Sequence, residues 1–267
     1  MKLPAKKSLG QNFLNNQRIP AQMADAGDVS AGDTILEIGP GTGVLTKELL
    51  KRGARVIAIE ADARSVDLLN ETFASEIACG ALTLRHGDIR NVPLTELGLT
   101  NGTFTVVSNI PYYLSGVLFR TLLSGETKPK TLVFLVQKEV AERITRSEKE
   151  SLLSLSVKAY GEPTYIGTVK RGNFSPAPHV DSAIIAVHNI GSGRMKGIDK
   201  DFFFEILHLG LGKKRKQLLG NLSALFPRES LEAVFQTLDI PLNTRGEDLP
   251  LEIWLSLAKK LDEIKRV

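Results

Sequence analysis

Between residues 34 and 137 five short apolar, β-branched runs recur: TILEI (34–38), RVIAIE (55–60), ALTLR (81–85), TFTVVS (103–108) and TLVFLVQ (131–137). Segments near 43–52, 62–74 and 115–124 fill the intervals with apolar residues at helical spacing. Strands that alternate with helices need right-handed crossovers, so this stretch is restricted to a doubly wound, mostly parallel α/β sheet. Two later runs, TYIGTVKR (164–171) and SAIIAVH (182–188), are joined by a Pro-containing loop instead of a helix. They predict an antiparallel terminal hairpin that finishes the sheet.

After Val187 the texture changes. NIGSGRMKG (189–197) has the Gly-rich, weakly apolar character of a linker. Beyond it FFFEILHLGL (202–211), KKRKQLLGNLSALF (213–226), RESLEAVFQTL (228–238) and PLEIWLSLAKKLDEI (250–264) all carry helical periodicity, with Pro250 suited to a first helical turn. Two domains are expected, a sheet domain over 1–190 and a small all-α domain over 191–267.

A chain of 267 residues with 42% hydrophobic content can bury a large core. Its single cysteine, Cys79, allows no internal disulfide and no cysteine-based metal site, so no metal is expected. No apolar run approaches the roughly 18 residues that span a bilayer, and MKLPAKKSLGQNFL (1–14) lacks the apolar core of a secretory signal. The expectation is a cytoplasmic protein without a membrane partner. The net charge is only +4, but its placement is uneven. Residues 1–18 hold Lys2, Lys6, Lys7 and Arg18 with no acid, and Lys213, Lys214, Arg215 and Lys216 form a second run. Such clusters suit a polyanion, because neutralising phosphates releases condensed counterions; the alternative is two solvated faces.

The first strand runs into Glu37-Ile38-Gly39-Pro40-Gly41-Thr42-Gly43 and then a helical pattern. Glycines permit a sharp turn and close approach to a ligand, and the helix N-terminus offers unpaired N–H groups. Glu60 closes the second strand, where a carboxylate can accept from both ribose hydroxyls of a nucleotide-like cofactor. A nicotinamide dehydrogenase uses a similar unit, but its G-x-G-x-x-G spacing would place glycine where Val44 stands. A Pro in the loop and Glu37 before it fit better a cofactor without pyrophosphate, S-adenosylmethionine. Asp88, with Ile89 beside it, follows the third strand and Asn109 the fourth. Asp88 suits an adenine amino group or, more locally, a turn cap. Acids and amides at successive strand ends outline one crevice.

The tetrapeptide Asn109-Ile110-Pro111-Tyr112 admits two readings, an ordinary Pro turn or a grip on a planar ring amine. An exocyclic amine such as adenine N6 is a poor nucleophile because its lone pair is delocalised. Asn109 Oδ1 and a backbone carbonyl of the Ile110-Pro111 segment can accept its two hydrogens and favour a pyramidal nitrogen. Pro111 stiffens the backbone, and Tyr112 can stack on the base. No general base is needed before attack; the work is positioning.

QNFL (11–14), EIGPGTGVLT (37–46), GD (87–88), NIPYYLS (109–115), NFSPAPHVDSA (173–183) and LGKKRKQLLGNL (211–222) stand in the order found in ribosomal RNA adenine dimethyltransferases, which the chain resembles over nearly its whole length. Within that family it is most similar to the small-subunit branch. The resemblance implies a Rossmann-like methyltransferase sheet with a helical rRNA-docking domain. It also implies N6-dimethylation of two adjacent adenosines in a hairpin near the 3′ end of 16S rRNA, with S-adenosyl-L-methionine as cofactor and a role in subunit biogenesis. Cofactor contacts are expected at Gln11, Asn12, Leu14, Glu37, Gly39, Gly41, Glu60, Asp88, Ile89 and Asn109. Asn109, Pro111, Tyr112 and Phe174 are the expected catalytic set, with Phe174 placed by the resemblance against a flipped base. Lys6, Lys7, Arg18, Lys213, Lys214, Arg215 and Lys216 are the expected RNA contacts, and the enzyme is expected to be monomeric. Departures from the family pattern are Ile110 in place of Leu, Tyr113 in place of a smaller polar residue, and Asn173 before Phe174. The alternatives are the large-subunit branch that confers macrolide resistance, a non-catalytic RNA-binding assembly factor, and a methyltransferase acting on DNA or small-molecule amines.

Overall fold

The structure, a computed structural model, describes residues 3–6, 9–191, 193–213 and 215–265. The chain separates into two compact units, one of Met1–Glu142 with Gly161–Gly191, the other of Arg143–Tyr160 with Ser192–Val267. A single cut near residue 190 therefore does not describe the chain, because residues 143–160 group with the later helices.

Among the described residues the first unit holds nine strands: β1 (Phe13–Leu14), β2 (Thr34–Ile38), β3 (Arg55–Glu60), β4 (Leu82–His86), β5 (Phe104–Asn109), β6 (Thr131–Gln137), β7 (Glu162–Val169), β8 (Phe174–Ser175) and β9 (Ser182–His188). Seven form one sheet in the order β4-β3-β2-β5-β6-β9-β7. The first five of these are parallel, β9 runs antiparallel to β6, and β7 closes the edge antiparallel to β9. Central strands are apolar along their whole length because both faces are covered: Ile35, Leu36, Val106, Val107 and Leu132 to Val136 are all buried. At the β7 edge Pro163 removes a donor and an irregularity between Tyr165 and Gly167 interrupts pairing, which blunts a strand that would otherwise be open to another chain.

Helices α1 (Arg18–Ala26), α2 (Val44–Lys51), α3 (Ala63–Thr72), α4 (Ala74–Ala78), α5 (Ser115–Ser124) and α6 (Lys138–Thr145) follow in chain order. α1 turns Ile19, Met23 and Ala24 inward, the spacing of one helical face. α3 begins at Asp62, whose side chain caps the Arg64 N–H. Two short strands, β1 and β8, pair antiparallel with Leu14 opposite Phe174 and form a sheet of their own. Among the described residues no helix is long and apolar enough to cross a membrane.

The second unit contains α7 (Leu152–Tyr160), α8 (Lys200–Gly212), α9 (Leu218–Leu222), α10 (Arg228–Thr237) and α11 (Leu251–Lys265). Trp254 is fully buried and its indole N–H donates to the Gly246 carbonyl at 3.2 Å. A side chain at Gly210 would collide with that indole, so α8 and α11 approach at a glycine. The helix expected over 213–226 is reduced to Leu218–Leu222. Lys213, Arg215 and Lys216 stay outside it because like charges on neighbouring turns repel and no apolar side chain in the run gains by coiling. Asn221 Nδ2 instead donates to the Gly210 carbonyl at 2.8 Å, serving an acceptor near the end of α8.

Gly43 illustrates how tightly the first loop is set. Its φ is +79°, and a Cβ there would lie 2.5 Å from Phe73 Cε2 and 2.9 Å from Leu69 Cδ2, both in buried side chains. Gly43→Ala is expected to cost about 2–4 kcal/mol, from left-handed strain plus overpacking, read from chemical denaturation at constant m-value.

Candidate functional site

The chain leaves β2 for β3 and β4 on one side, then returns to β5 on the other side of β2. That reversal opens a crevice at the carboxyl ends of β2 and β5. Direct pairing between them runs from Thr34↔Phe104 to Leu36↔Val106, and beyond it Ser108 Oγ accepts the Ile38 N–H at 2.8 Å. The cleft that begins there is lined by residues 9–14, the Glu37–Thr42 loop, Glu60, residues 87–90 and residues 109–114.

Glu60 ends β3 and is only 5% exposed. One carboxylate oxygen accepts the Gly41 N–H at 2.9 Å and the other the Asp62 N–H at 2.8 Å. Each oxygen keeps a further lone pair for a ligand hydroxyl. Burial pushes its pKa up, and the two backbone donors counteract that. Glu37, 1% exposed on the neighbouring strand, accepts from Thr46 Oγ1 at 2.7 Å. Burial raises its pKa to about 8, with the nearby Glu60 charge adding to the rise. Gly39 sits at φ +69°, and a Cβ placed on it would meet nothing within 4 Å. The left-handed loop thus leaves backbone facing open space beside a buried carboxylate. This cradle suits the adenosine-like body of S-adenosylmethionine better than a pyrophosphate.

Residues 9–14 form one wall. Gln11 and Asn12 lie in it, but Gln11 does not point a free amide at the cleft: its Nε2 donates to Asp62 Oδ2 at 3.0 Å and its Oε1 accepts the Lys6 N–H at 2.8 Å. The Asn12 carbonyl accepts from Asn109 Nδ2 at 3.3 Å. A carbonyl can only accept, so this contact fixes which end of the Asn109 amide is nitrogen and turns Oδ1 away from Asn12. Leu14 is buried opposite Phe174.

Asp88 follows β4 and caps the short turn at Ile89–Asn91 through the Arg90 N–H at 2.9 Å. The Arg90 guanidinium grips the same carboxylate at 2.5 and 3.0 Å and holds its pKa down. Asp88 is thus a cap and an ion-pair partner first, and a ligand amine would share it with Arg90. Ile89 is buried in the cleft lining.

The aromatic residues differ most from expectation. Tyr112 lines the cleft, but its hydroxyl lies 2.6 Å from Ser182 Oγ, and burial raises its pKa. Tyr113 lines the same cleft and is 56% exposed, its ring in van der Waals range of a Cβ built on Gly10. Phe174 is 4% exposed, belongs to the core cluster with Leu14 and Ile184, and stands outside the cleft lining. In this structure Phe174, on β8 where it pairs with β1, packs in the core and not in the cleft. Pro111, with φ −57°, precedes the short turn at Tyr112–Leu114.

The basic residues do not share one arrangement. Lys6 Nζ pairs with Asp62 Oδ1 at 3.1 Å, while Arg18 is exposed at the start of α1. Lys213, Arg215 and Lys216 are exposed in the second unit. Lys7 and Lys214 lie outside the described residues. Asp62, Arg90 and Ser182 are participants that motif reasoning passed over. For Asp62 the signal was available, an Asp directly ahead of a helical pattern and two positions beyond the strand-end acid.

The model of the family described as ribosomal RNA adenine dimethylase matches residues 3–263. A ribosomal RNA small subunit methyltransferase A of Dehalococcoides mccartyi is 37% identical over 96% of this chain and 88% of that protein. One of the same name from Fusobacterium nucleatum is 34% identical over 97% and 98%. Among solved structures, a dimethyladenosine transferase from Plasmodium falciparum superposes with a TM-score of 0.80 at 26% identity, covering 94% of this chain and 98% of that one. The 23S rRNA methyltransferase ErmE shares the fold, with a TM-score of 0.73 at 24% identity over 94% of this chain and all of that one.

Glu37 supplies a pH test. Its folded-state pKa of about 8 exceeds the ordinary carboxyl value of 4.5, so the folded protein holds a proton that the unfolded chain releases between those values. Stability from this group is complete below the lower value and is lost as pH rises through the upper one. Glu37→Gln removes the titration. Its melting temperature is therefore expected to gain on wild type between about pH 5 and about pH 8, and a constant difference across that range would contradict the shift.

Proposed function

This chain belongs to the ribosomal RNA adenine dimethylase family and is an S-adenosylmethionine-dependent rRNA adenine dimethyltransferase, and we propose that its substrate is 16S rRNA in the small ribosomal subunit. Two adjacent adenosines of a hairpin near the 3′ end are modified at N6, as a step in subunit biogenesis. The names of the Dehalococcoides and Fusobacterium relatives support the choice of subunit. The enzyme works as a monomer in the cytoplasm.

The orientation of Asn109 carries this reading. Its Nδ2 is committed to the Asn12 carbonyl, which leaves Oδ1 as an acceptor at the end of β5. There it takes one N6 hydrogen, and a backbone carbonyl of the Ile110-Pro111 segment takes the other, so the nitrogen lone pair is freed from conjugation with the ring. Glu60, Gly39 and Gly41 hold the cofactor, with Gln11, Asn12, Leu14, Glu37, Asp88 and Ile89 completing the wall. S-adenosylmethionine, when bound, supplies a methyl group activated by its sulfonium charge. Tyr112 shields the amine from water, its hydroxyl anchored on Ser182. Phe174 reaches a base only if β8 releases it from the core, whereas Tyr113 already faces the cleft.

Arg18, Lys213, Arg215 and Lys216, together with Lys7 and Lys214, meet phosphates. Such contacts position the RNA without reading its sequence, and specificity comes from RNA shape and splayed bases. Lys6 contributes less, being paired with Asp62.

The deciding experiment transfers radiolabel from S-adenosylmethionine to undermethylated small subunits, maps it by primer extension, and runs large-subunit RNA alongside. Label on paired adenosines near the small-subunit 3′ end is expected. Label confined to large-subunit RNA would move the enzyme to the other branch, and none on either would leave a binding factor. Asn109→Ala is expected to lower transfer by about 100-fold or more with an unchanged melting temperature, and near-normal turnover would sink the acceptor role. Replacing Lys213, Arg215 and Lys216 by Gln should weaken RNA binding and flatten its log–log salt slope by roughly 0.7–0.9 for each phosphate left unneutralised; an unchanged slope would make the run a solvated face.

A further inference from the structure

Asp62 lies two residues beyond the acid that ends β3, and its side chain is 0% exposed. It accepts from Lys6 Nζ at 3.1 Å, Gln11 Nε2 at 3.0 Å, and Arg64 Nε at 3.1 Å and Nη2 at 2.6 Å. The Arg64 guanidinium first, then Gln11 and Lys6, hold its pKa well below the usual carboxylate range. Its own backbone N–H donates to Glu60 Oε1 at 2.8 Å. One residue thus touches the cofactor acid through its main chain and the 6–11 segment through its side chain.

The segment it holds leads directly to the amine acceptor. Gln11 Oε1 accepts the Lys6 N–H, and the Leu9 N–H donates to the Lys6 carbonyl at 3.1 Å, so Lys6, Leu9 and Gln11 are tied to one another beside the carboxylate. Asn12 follows, and its carbonyl accepts from Asn109 Nδ2. On the far side, Leu14 is fixed by pairing with Phe174. Asn12 therefore hangs between two anchors, Asp62 upstream and β8 downstream. The upstream anchor is asymmetric: Lys6 and Arg64 are partly exposed and regain water when released, whereas the buried carboxylate does not. Release is resisted mainly on the Asp62 side.

We propose that Asp62 is a positioning residue for both halves of the site, seating Glu60 through its backbone and aiming the Asn109 amide through Gln11 and Asn12. The second half rests on the reading of Asn109 as the amine acceptor. Access of solvent to residues 6–12, the affinity for cofactor and the rate of methyl transfer then become coupled through one buried carboxylate. The sequence region concerned is the basic arm, so Lys6 acts as a clasp on the protein before it acts on any phosphate.

Gln11→Ala tests this without removing the buried charge, and Asp62→Asn keeps the side-chain shape. In cofactor-free protein, limited proteolysis and hydrogen exchange should show residues 3–14 opening about tenfold more readily in Gln11→Ala than in wild type, with the sheet protected as before. At saturating S-adenosylmethionine, single-turnover transfer to undermethylated small subunits should fall about 10- to 100-fold in Gln11→Ala. Asp62→Asn, which keeps the backbone N–H on Glu60, should lower transfer to a similar extent, and adding Gln11→Ala to it should cost little more, because the two act through one contact. Wild-type transfer by Gln11→Ala, losses that multiply in the double variant, or unchanged opening of residues 3–14 would each overturn the proposal. Wild-type enzyme that labels neither subunit would take down the underlying reading together with it.

Discussion

A single buried carboxylate organises the catalytic unit. Glu60 ends β3 with both oxygens engaged, one by the Gly41 N–H of the loop after β2, the other by the Asp62 N–H at the entry to α3. Two loops that leave adjacent parallel strands are thereby tied to one point. A buried carboxylate is costly unless it is hydrogen-bonded, so the loop must bring its amides to Glu60. Glycines at 39 and 41 with positive φ let it do so. The crevice, the wall of residues 9–14 and the aim of Asn109 all build outward from that tie.

The arrangement concentrates electrostatic cost at the place where a ligand binds. Glu37 and Glu60 are both buried toward the ends of neighbouring strands, where burial raises the cost of ionising each, and the Glu60 charge adds to that cost at Glu37. An apolar pair would fill the same space with less penalty. Asp62 differs, because three side chains donate to it and hold it ionised. A neutral Glu37, a donor-bound Glu60 and a charged Asp62 thus stand together at the ends of two adjacent strands, a graded set that burial and partners create from the same carboxyl chemistry.

The sheet was legible because its central strands are buried on both faces, which leaves near-continuous apolar runs that no helix or loop mimics. TILEI, RVIAIE and TLVFLVQ each match a strand residue for residue, and SAIIAVH pairs antiparallel with its neighbours as its loop implied. The two-residue strands β1 and β8 are too short to show alternation, so the inward face of Phe174 on β8 had no pattern to reveal it. Helices α6 and α7 went unplaced because the polar stretch Arg146 to Ser151 breaks the periodic pattern between them. The strand-end residues of the cleft were readable from spacing, since strand ends in an open α/β sheet face one crevice. Their partners were not: Asp62 under Gln11, Arg90 on Asp88 and Ser182 against Tyr112 come together only through tertiary contact.

Calorimetric titration of S-adenosylmethionine into wild-type protein and Glu60→Gln tests the central tie most directly. The substituted amide must turn an NH2 toward one of the two backbone donors, so the loop loses its anchor and the ligand its acceptor. Binding by wild type, weakened about 10- to 100-fold in a variant that remains folded, is the predicted result. Equal affinity in the two proteins would contradict the account, because the cleft would then hold its cofactor without the carboxylate around which it is built.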